Sequence, residues 1–145
     1  MKTINVRPVA IMGMCPAGIT LDNEFQVDGM NLVNSGNANL CFLAMSHFPP
    51  SIWQLQIESR FFAHVSGPGC TTRLEEENRV VFLLGHADKW DLCQAISEYR
   101  RLTRERSEPE NTKKLRMQAM QAQSDGDFSQ ATFKMKDALD ELENT

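Results

Sequence analysis

Residues 79–102 read RVVFLLGHADKWDLCQAISEYRRL. Arg79 to Gly85 is a short, unbroken apolar run with β-branched Val80 and Val81. Its length suits a strand buried on both faces better than a helix. Beyond Gly85 the grammar changes. Trp90, Leu92, Cys93, Ile96, Tyr99 and Leu102 recur with helical spacing, and Asp88 stands where a helix N-cap is expected. The strand therefore closes one region and the helix opens another. Before the junction the chain is rich in Val, Phe, Gly, Pro and Asn; after it, in Ala, Gln, Glu, Lys and Met, mostly good helix formers. The fold predicted is α+β: a small mixed, cysteine-containing domain over residues 1–86, followed by a helical extension over 87–145.

Working back from the junction, FFAHVSGPG (61–69) reads as a strand leading into a turn. PPSIWQLQI (49–57) starts a helix, with Pro50 or Ser51 near its N-terminus. LCFLAMSHF (40–48) reads as a short buried helix. EFQVDG (24–29) alternates Phe25 and Val27 and ends on an Asp-Gly turn signal. NLVNSGNAN (31–39) reads as a loop. INVRPVAI (4–11) is a strand that Pro8 assigns to a sheet edge.

Working forward, Pro109 opens a second helix that runs to about Ser124. Asp125-Gly126 closes it, and Asp127 with Gln130 begins the last helix in the manner of a capping box. Phe128, Ala131, Met135, Ala138 and Leu142 form one helical stripe. The short turn predicts an antiparallel hairpin over about 109–143. The stripe needs cover, and pairing with 109–124 is expected to supply only part of it. The rest is expected from the first domain or from a second copy, which makes these helices a candidate surface for a homo-oligomer or a protein partner.

A chain of 145 residues with 41% hydrophobic and 23% charged residues can bury a core of its own. Its net charge of −4 disfavours generic nucleic-acid binding. Arg7 and Pro8 interrupt the apolar start, and Met14 is bulky where a leader cleavage site wants a small residue, so no signal peptide is read. No stretch is long and apolar enough for a membrane span. The expected compartment is the cytoplasm, where thiols stay reduced and four cysteines do not imply disulfides.

The cysteines then divide. Cys93 lies among apolar helix neighbours and reads as core filler. Cys15 precedes Pro16, Cys41 follows a Gly/Asn loop near a helix start, and Cys70 follows Pro68-Gly69. Turns that expose backbone N–H groups to sulfur suit a soft metal or an iron–sulfur cluster. No Cys-x-x-Cys knuckle is present, so such a site has to be assembled by the fold. Buried structural thiols and a catalytic thiol are the competing readings. His64 is the candidate fourth ligand, or the base for a Cys15 nucleophile. His47 and His86 read as ordinary surface or hydrogen-bonded histidines. The basic run EYRRLTRER (98–106) carries its own glutamates and reads as a solvated, ion-paired helix face.

The ordered set Cys15-Pro16-Ala17-Gly18, Glu24-Phe25, Cys41 with Ala44, Cys70 and Val80-Val81-Phe82 resembles a family of small, uncharacterised prokaryotic proteins. The resemblance spans residues 9–84 and implies that Cys15, Cys41 and Cys70 belong together. It implies no reaction. The tail, QAMQAQSDGDFSQATFKMKDALDEL (118–142), resembles a single hairpin of the tetratricopeptide type. The leading expectation is a cytoplasmic protein with a metal site, an iron–sulfur cluster or zinc, held by Cys15, Cys41, Cys70 and His64. The alternatives are a non-catalytic assembly module built on the hairpin and a thiol-dependent enzyme.

Overall fold

The computed structural model describes residues 2–15, 17–29, 31–33, 41–57, 60–67 and 78–144. The chain divides into two compact units, Met1–Asp88 and Lys89–Thr145. The fold is α+β. No helix among the described residues is long and apolar enough to cross a membrane.

The first unit is an antiparallel sheet of five strands: β1 (Thr3–Met12), β2 (Phe25–Asp28), β3 (Asn31–Val33), β4 (Phe62–Ser66) and β5 (Arg79–His86), in the order β3-β2-β1-β5-β4. Two helices, α1 (Phe42–Met45) and α2 (Pro49–Ile57), complete it. One sheet face carries Ile4, Val6, Phe25, Val27, Val65, Phe82 and Leu84, which join Ala44, Phe48, Ile52 and Leu55 in a single buried cluster. The alternation of Phe25 and Val27, or of Val80, Phe82 and Leu84, is what puts each set on that face. Phe48 meets the Phe82 ring edge-on, with centroids 4.9 Å apart. His86 is buried, and its Nε2–H donates to the Leu55 carbonyl at 2.7 Å, tying α2 to β5. The carbonyl can only accept, so Nε2 carries the proton.

Two expectations for this unit are corrected. β1 sits in the middle of the sheet, not at its edge. Pro8 is accommodated because β2 pairs only with Thr3 to Val6, and the β5 pairing is irregular between Pro8 and Ala10. Beyond Val6 the strand is an edge locally, so the missing N–H breaks no ladder. Asn31–Val33 is a strand, not loop. The Asp28-Gly29 turn, with Gly29 at φ 62, folds it back onto β2. Residues 34–39 of the expected loop lie outside the described residues.

The second unit consists of α3 (Trp90–Glu105), α4 (Glu110–Ser124) and α5 (Phe128–Glu143). Gly126, at φ +79, supplies the left-handed residue that ends α4. The Asp127 carboxylate then accepts from the Gln130 N–H at 3.0 Å and caps α5. Asp88 does not cap α3. It lies in a short 3-10 turn, Ala87–Lys89, and Lys89 holds the cap position with no side-chain bond.

The α5 stripe is also corrected. Ala131, Met135, Ala138 and Leu142 are at most 3% exposed. Both α3 and α4 pack on α5, so the unit supplies cover for these four from α3 as well as from α4, while Phe128, the first residue of the stripe, is half-buried. Trp90, Leu92, Cys93, Tyr99 and Leu102 from α3, with Ala119 and Ala122 from α4, are the buried counterpart. A polar clasp joins α3 to the start of α4. The Tyr99 hydroxyl donates to Glu108, whose Oε1 also accepts from Arg116 Nε at 2.7 Å.

Candidate functional site

The segments that carry Cys15 and Cys41 are anchored at one end of the sheet, where β1 finishes, β4 finishes and β5 begins. Met12 of β1 pairs with Arg79 of β5, and Ile11 with Val80. Gly67, just past β4, donates its N–H to the Val80 carbonyl at 2.8 Å. Ile11, Val80 and Gly67 therefore form one row across this end.

Cys15 follows β1 by three residues. Gly13, at φ 72, turns the chain there. The Met14 N–H donates to Asn78 Oδ1 at 2.9 Å, and Asn78 is buried immediately before β5. The Cys15 carbonyl accepts from the Gly18 N–H at 3.0 Å, which closes the Cys-Pro-x-Gly segment as a turn. Cys15 is half-buried and packs against the sheet-and-helix cluster.

Cys41 stands immediately before α1. Its carbonyl accepts the first helical bond, from the Met45 N–H at 2.9 Å. It too is half-buried, against the same cluster. The next turn of α1 brings Ala44 onto this end of the sheet: a Cβ added at Gly67 would lie 3.7 Å from the Ala44 methyl and 3.4 Å from the Val80 carbonyl. Both are ordinary van der Waals distances, so α1 and the strand end are neighbours here.

Cys70 lies outside the described residues. The chain on either side of residues 68–77 is fixed at this end, by Gly67 against Ala44 and by Asn78 against Met14.

His64 is set apart. It lies on β4 opposite Leu83, between Ala63 and Val65, whose side chains face the cluster. Strand alternation puts His64 on the other face of the sheet, where it is exposed and meets Phe62 edge-on at 6.1 Å. It is beside neither Cys15 nor Cys41 as a ligand or base. Among the described residues no three His, Cys, Asp or Glu side chains are grouped to hold a metal ion. Cys93 is fully buried in α3, as its helical neighbours imply.

Two features of this end have no local signal in the sequence. Asn78 is a short polar residue at a strand start, with nothing local to say that its amide binds Met14. The methionines that precede Cys15 are exposed, Met12 by 48% and Met14 by 78%.

Several charged groups of the second unit form ion pairs. Arg101 bonds Glu98 at 2.6 Å and lies 3.9 Å from Glu105, so the basic run is an ion-paired, solvated helix face. The Arg101 hydrogen bond holds the Glu98 carboxyl below its ordinary range. The Glu108 carboxyl is likewise lowered, first by its bond from Arg116. Burial pushes the Tyr99 hydroxyl up to about 12, and the bond to Glu108 adds to the rise. No protein-family model matches the chain, and neither a curated protein nor a solved structure matches it.

Proposed function

We propose that the first unit binds a metal through the thiolates of Cys15, Cys41 and Cys70 at the end of the sheet where β1 and β4 finish. The observation that carries this reading is the anchoring of the cysteine segments. Cys15 and Cys41 come from distant parts of the chain and pack half-buried on one cluster. Gly67 and Asn78, which bracket the segment containing Cys70, are bonded or packed to the neighbours of those two residues. Half-burial suits a ligand thiol: the sulfur is shielded from bulk water yet reachable from the surface. A fully buried thiol such as Cys93 is inert by comparison. Three thiolates would leave one coordination position for a fourth donor, a water or a substrate, which is the arrangement of reactive rather than closed metal sites. An iron–sulfur cluster and zinc are the metals to test first.

The test is purification without oxygen, followed by absorbance and metal analysis of the full chain and of its Cys15→Ser, Cys41→Ser and Cys70→Ser variants. A brown chromophore or stoichiometric metal that all three variants lose supports the site. Metal retained by any one of the three variants removes that cysteine from it. No metal under reducing conditions refutes it.

A second reading, assembly through the helical unit, is favoured by a different observation. Met117 and Met120 on α4 and Phe133 on α5 are each more than half exposed, on surfaces that the internal packing does not use. Met117 and Met120 are one helical turn apart on α4, and exposed apolar side chains on one helix face are candidates for contact with a partner. In this reading two copies associate through those outer faces in the cytoplasm. Light scattering of the wild type and of a Met117→Lys, Phe133→Lys variant is the test. A wild type that is monomeric at high concentration refutes it.

A further inference from the structure

We infer that Asn78 is the positioning residue of Cys15: its buried side-chain amide holds the turn that carries the thiol against the start of β5. This assignment rests on the metal-site reading above only in taking Cys15 as a functional thiol, and it involves no other donor.

The sheet ladder stops short of this turn. The last pair between β1 and β5 is Met12 with Arg79, and Gly13 then turns the chain. The Met14 N–H, beyond that pair, bonds a side chain instead, Asn78 Oδ1 at 2.9 Å. Asn78 immediately precedes Arg79, so its amide carries the pairing of the two segments one bond past the strand ends. Asn78 is 5% exposed. A buried amide costs free energy unless it is bonded, and an apolar residue would fill the place without that cost. What an apolar residue could not supply is the acceptor for Met14.

Cys15 is thereby fixed from both sides. The residue before it is bonded to Asn78, and its own carbonyl accepts from the Gly18 N–H at 3.0 Å. Cys15 is half-buried against the sheet-and-helix cluster, so how far its thiol is shielded depends on where this turn is held. Releasing the Met14 bond should let the turn lift from the core and expose Cys15. Cys41 packs on the same cluster from another segment, held by its own bond to Met45. It is an internal control: a general loosening of the core exposes both thiols, whereas loss of positioning exposes one.

The experiment alkylates the reduced, metal-free full chain under native conditions and reads each cysteine separately by peptide mass spectrometry, with circular dichroism as the check on fold. Asn78→Leu keeps the bulk and removes the acceptor. It should raise the Cys15 rate about three- to tenfold, the factor by which loss of one hydrogen bond shifts a local opening. Cys41 should keep its wild-type rate. Asn78→Asp retains the acceptor oxygen and should keep the Cys15 rate near that of the wild type. Hydrogen exchange on the wild type, which depends on no variant folding, should find the Met14 amide protected. An unprotected Met14 amide overturns the assignment, as does a Cys15 rate that ignores Asn78→Leu or a rise that Cys41 shares. Metal binding is measured separately on the same proteins. Where the wild type binds metal, Asn78→Leu should weaken it about tenfold or more, and Asn78→Asp should restore it. A wild type that binds none, together with a rise confined to Cys15, overturns the metal reading and leaves the positioning role standing.

Discussion

Tyr99 is the only tyrosine of the chain, so its ionisation can be followed by ultraviolet absorbance without interference from another phenol. It is 2% exposed, and its hydroxyl donates to the Glu108 carboxylate. Burial disfavours the phenolate, and the negative partner disfavours it further. The result is a rise from 10.0 to about 12. The folded state thus holds the phenolic proton more tightly than the unfolded state does. Stability from this group is fully present below pH 10 and is lost as the pH climbs through about 12. Such a rise corresponds to roughly 2–3 kcal/mol, a large share of the stability of so small a helical unit. The assay pairs an absorbance titration of folded and urea-unfolded protein with denaturation curves at pH 8, 10 and 11. Tyr99→Phe serves as the reference, because lysines also titrate in this range and the difference between the two proteins isolates the phenol. Glu108→Gln should bring the folded midpoint down, but not back to the unfolded value, since burial is the larger cause. A folded midpoint equal to the unfolded one would refute the clasp, as would a wild-type loss of stability above pH 10 that Tyr99→Phe shares in full.

The acid side has the opposite sign: Glu108 is lowered by Arg116, so its contribution is present at neutral pH and disappears as the pH falls below the carboxylate range, and Arg116→Gln should remove that dependence in acid melts. Gly126→Ala should cost about 1 kcal/mol through backbone strain alone, because φ is +79 and nothing lies within 4 Å of the added methyl; a loss well above that in urea melts would mean a hidden contact. Met135→Ala, in the centre of the α5 stripe, should cost about 2–4 kcal/mol, read from the helical signal. Cys93→Ala should cost on the order of 1 kcal/mol and leave metal content unchanged; Cys93 should also resist alkylation until the helices unfold, whereas Cys15 and Cys41 react in the native protein.

The helical unit was readable because its signals are local. The stripe from Phe128 to Leu142, the Gly126 turn and the Asp127 cap are each decided within a few residues of chain. What covers the stripe is not local. The partner helix α3 lies more than twenty residues upstream, and nothing in the stripe itself announces it. The sheet shows the same division. That β1, β2, β4 and β5 are strands follows from alternation and apolar runs; their order does not. Pro8 was a sound local signal that led to the wrong place in the sheet. The rule about proline concerns a missing N–H, and that N–H can be spared by a short neighbour as well as by an outer position. Likewise Asp88 has the right chemistry for a cap, but the chain takes an extra 3-10 turn before α3 begins.

The candidate site was legible as a set of residue types and illegible as a place. Local sequence marks Cys15, Cys41 and Cys70 as turn-associated thiols, and it marks His64 equally well as a donor. Only the pleat separates them: one step along β4 from Val65 is enough to move a side chain from the cluster face to the opposite face. Removing the imidazole changes the chemistry more than its loss from a list of ligands suggests. With it, a three-cysteine, one-histidine set is a closed tetrahedral site suited to zinc and to structure. Without it, the three cysteines need a fourth donor from another residue or from solvent to complete such a site. Whether His64→Ala alters the metal affinity of the proposed site tests this placement directly: no change is expected, because the pleat puts His64 on the face away from the cluster, and a large loss would return the imidazole to the site.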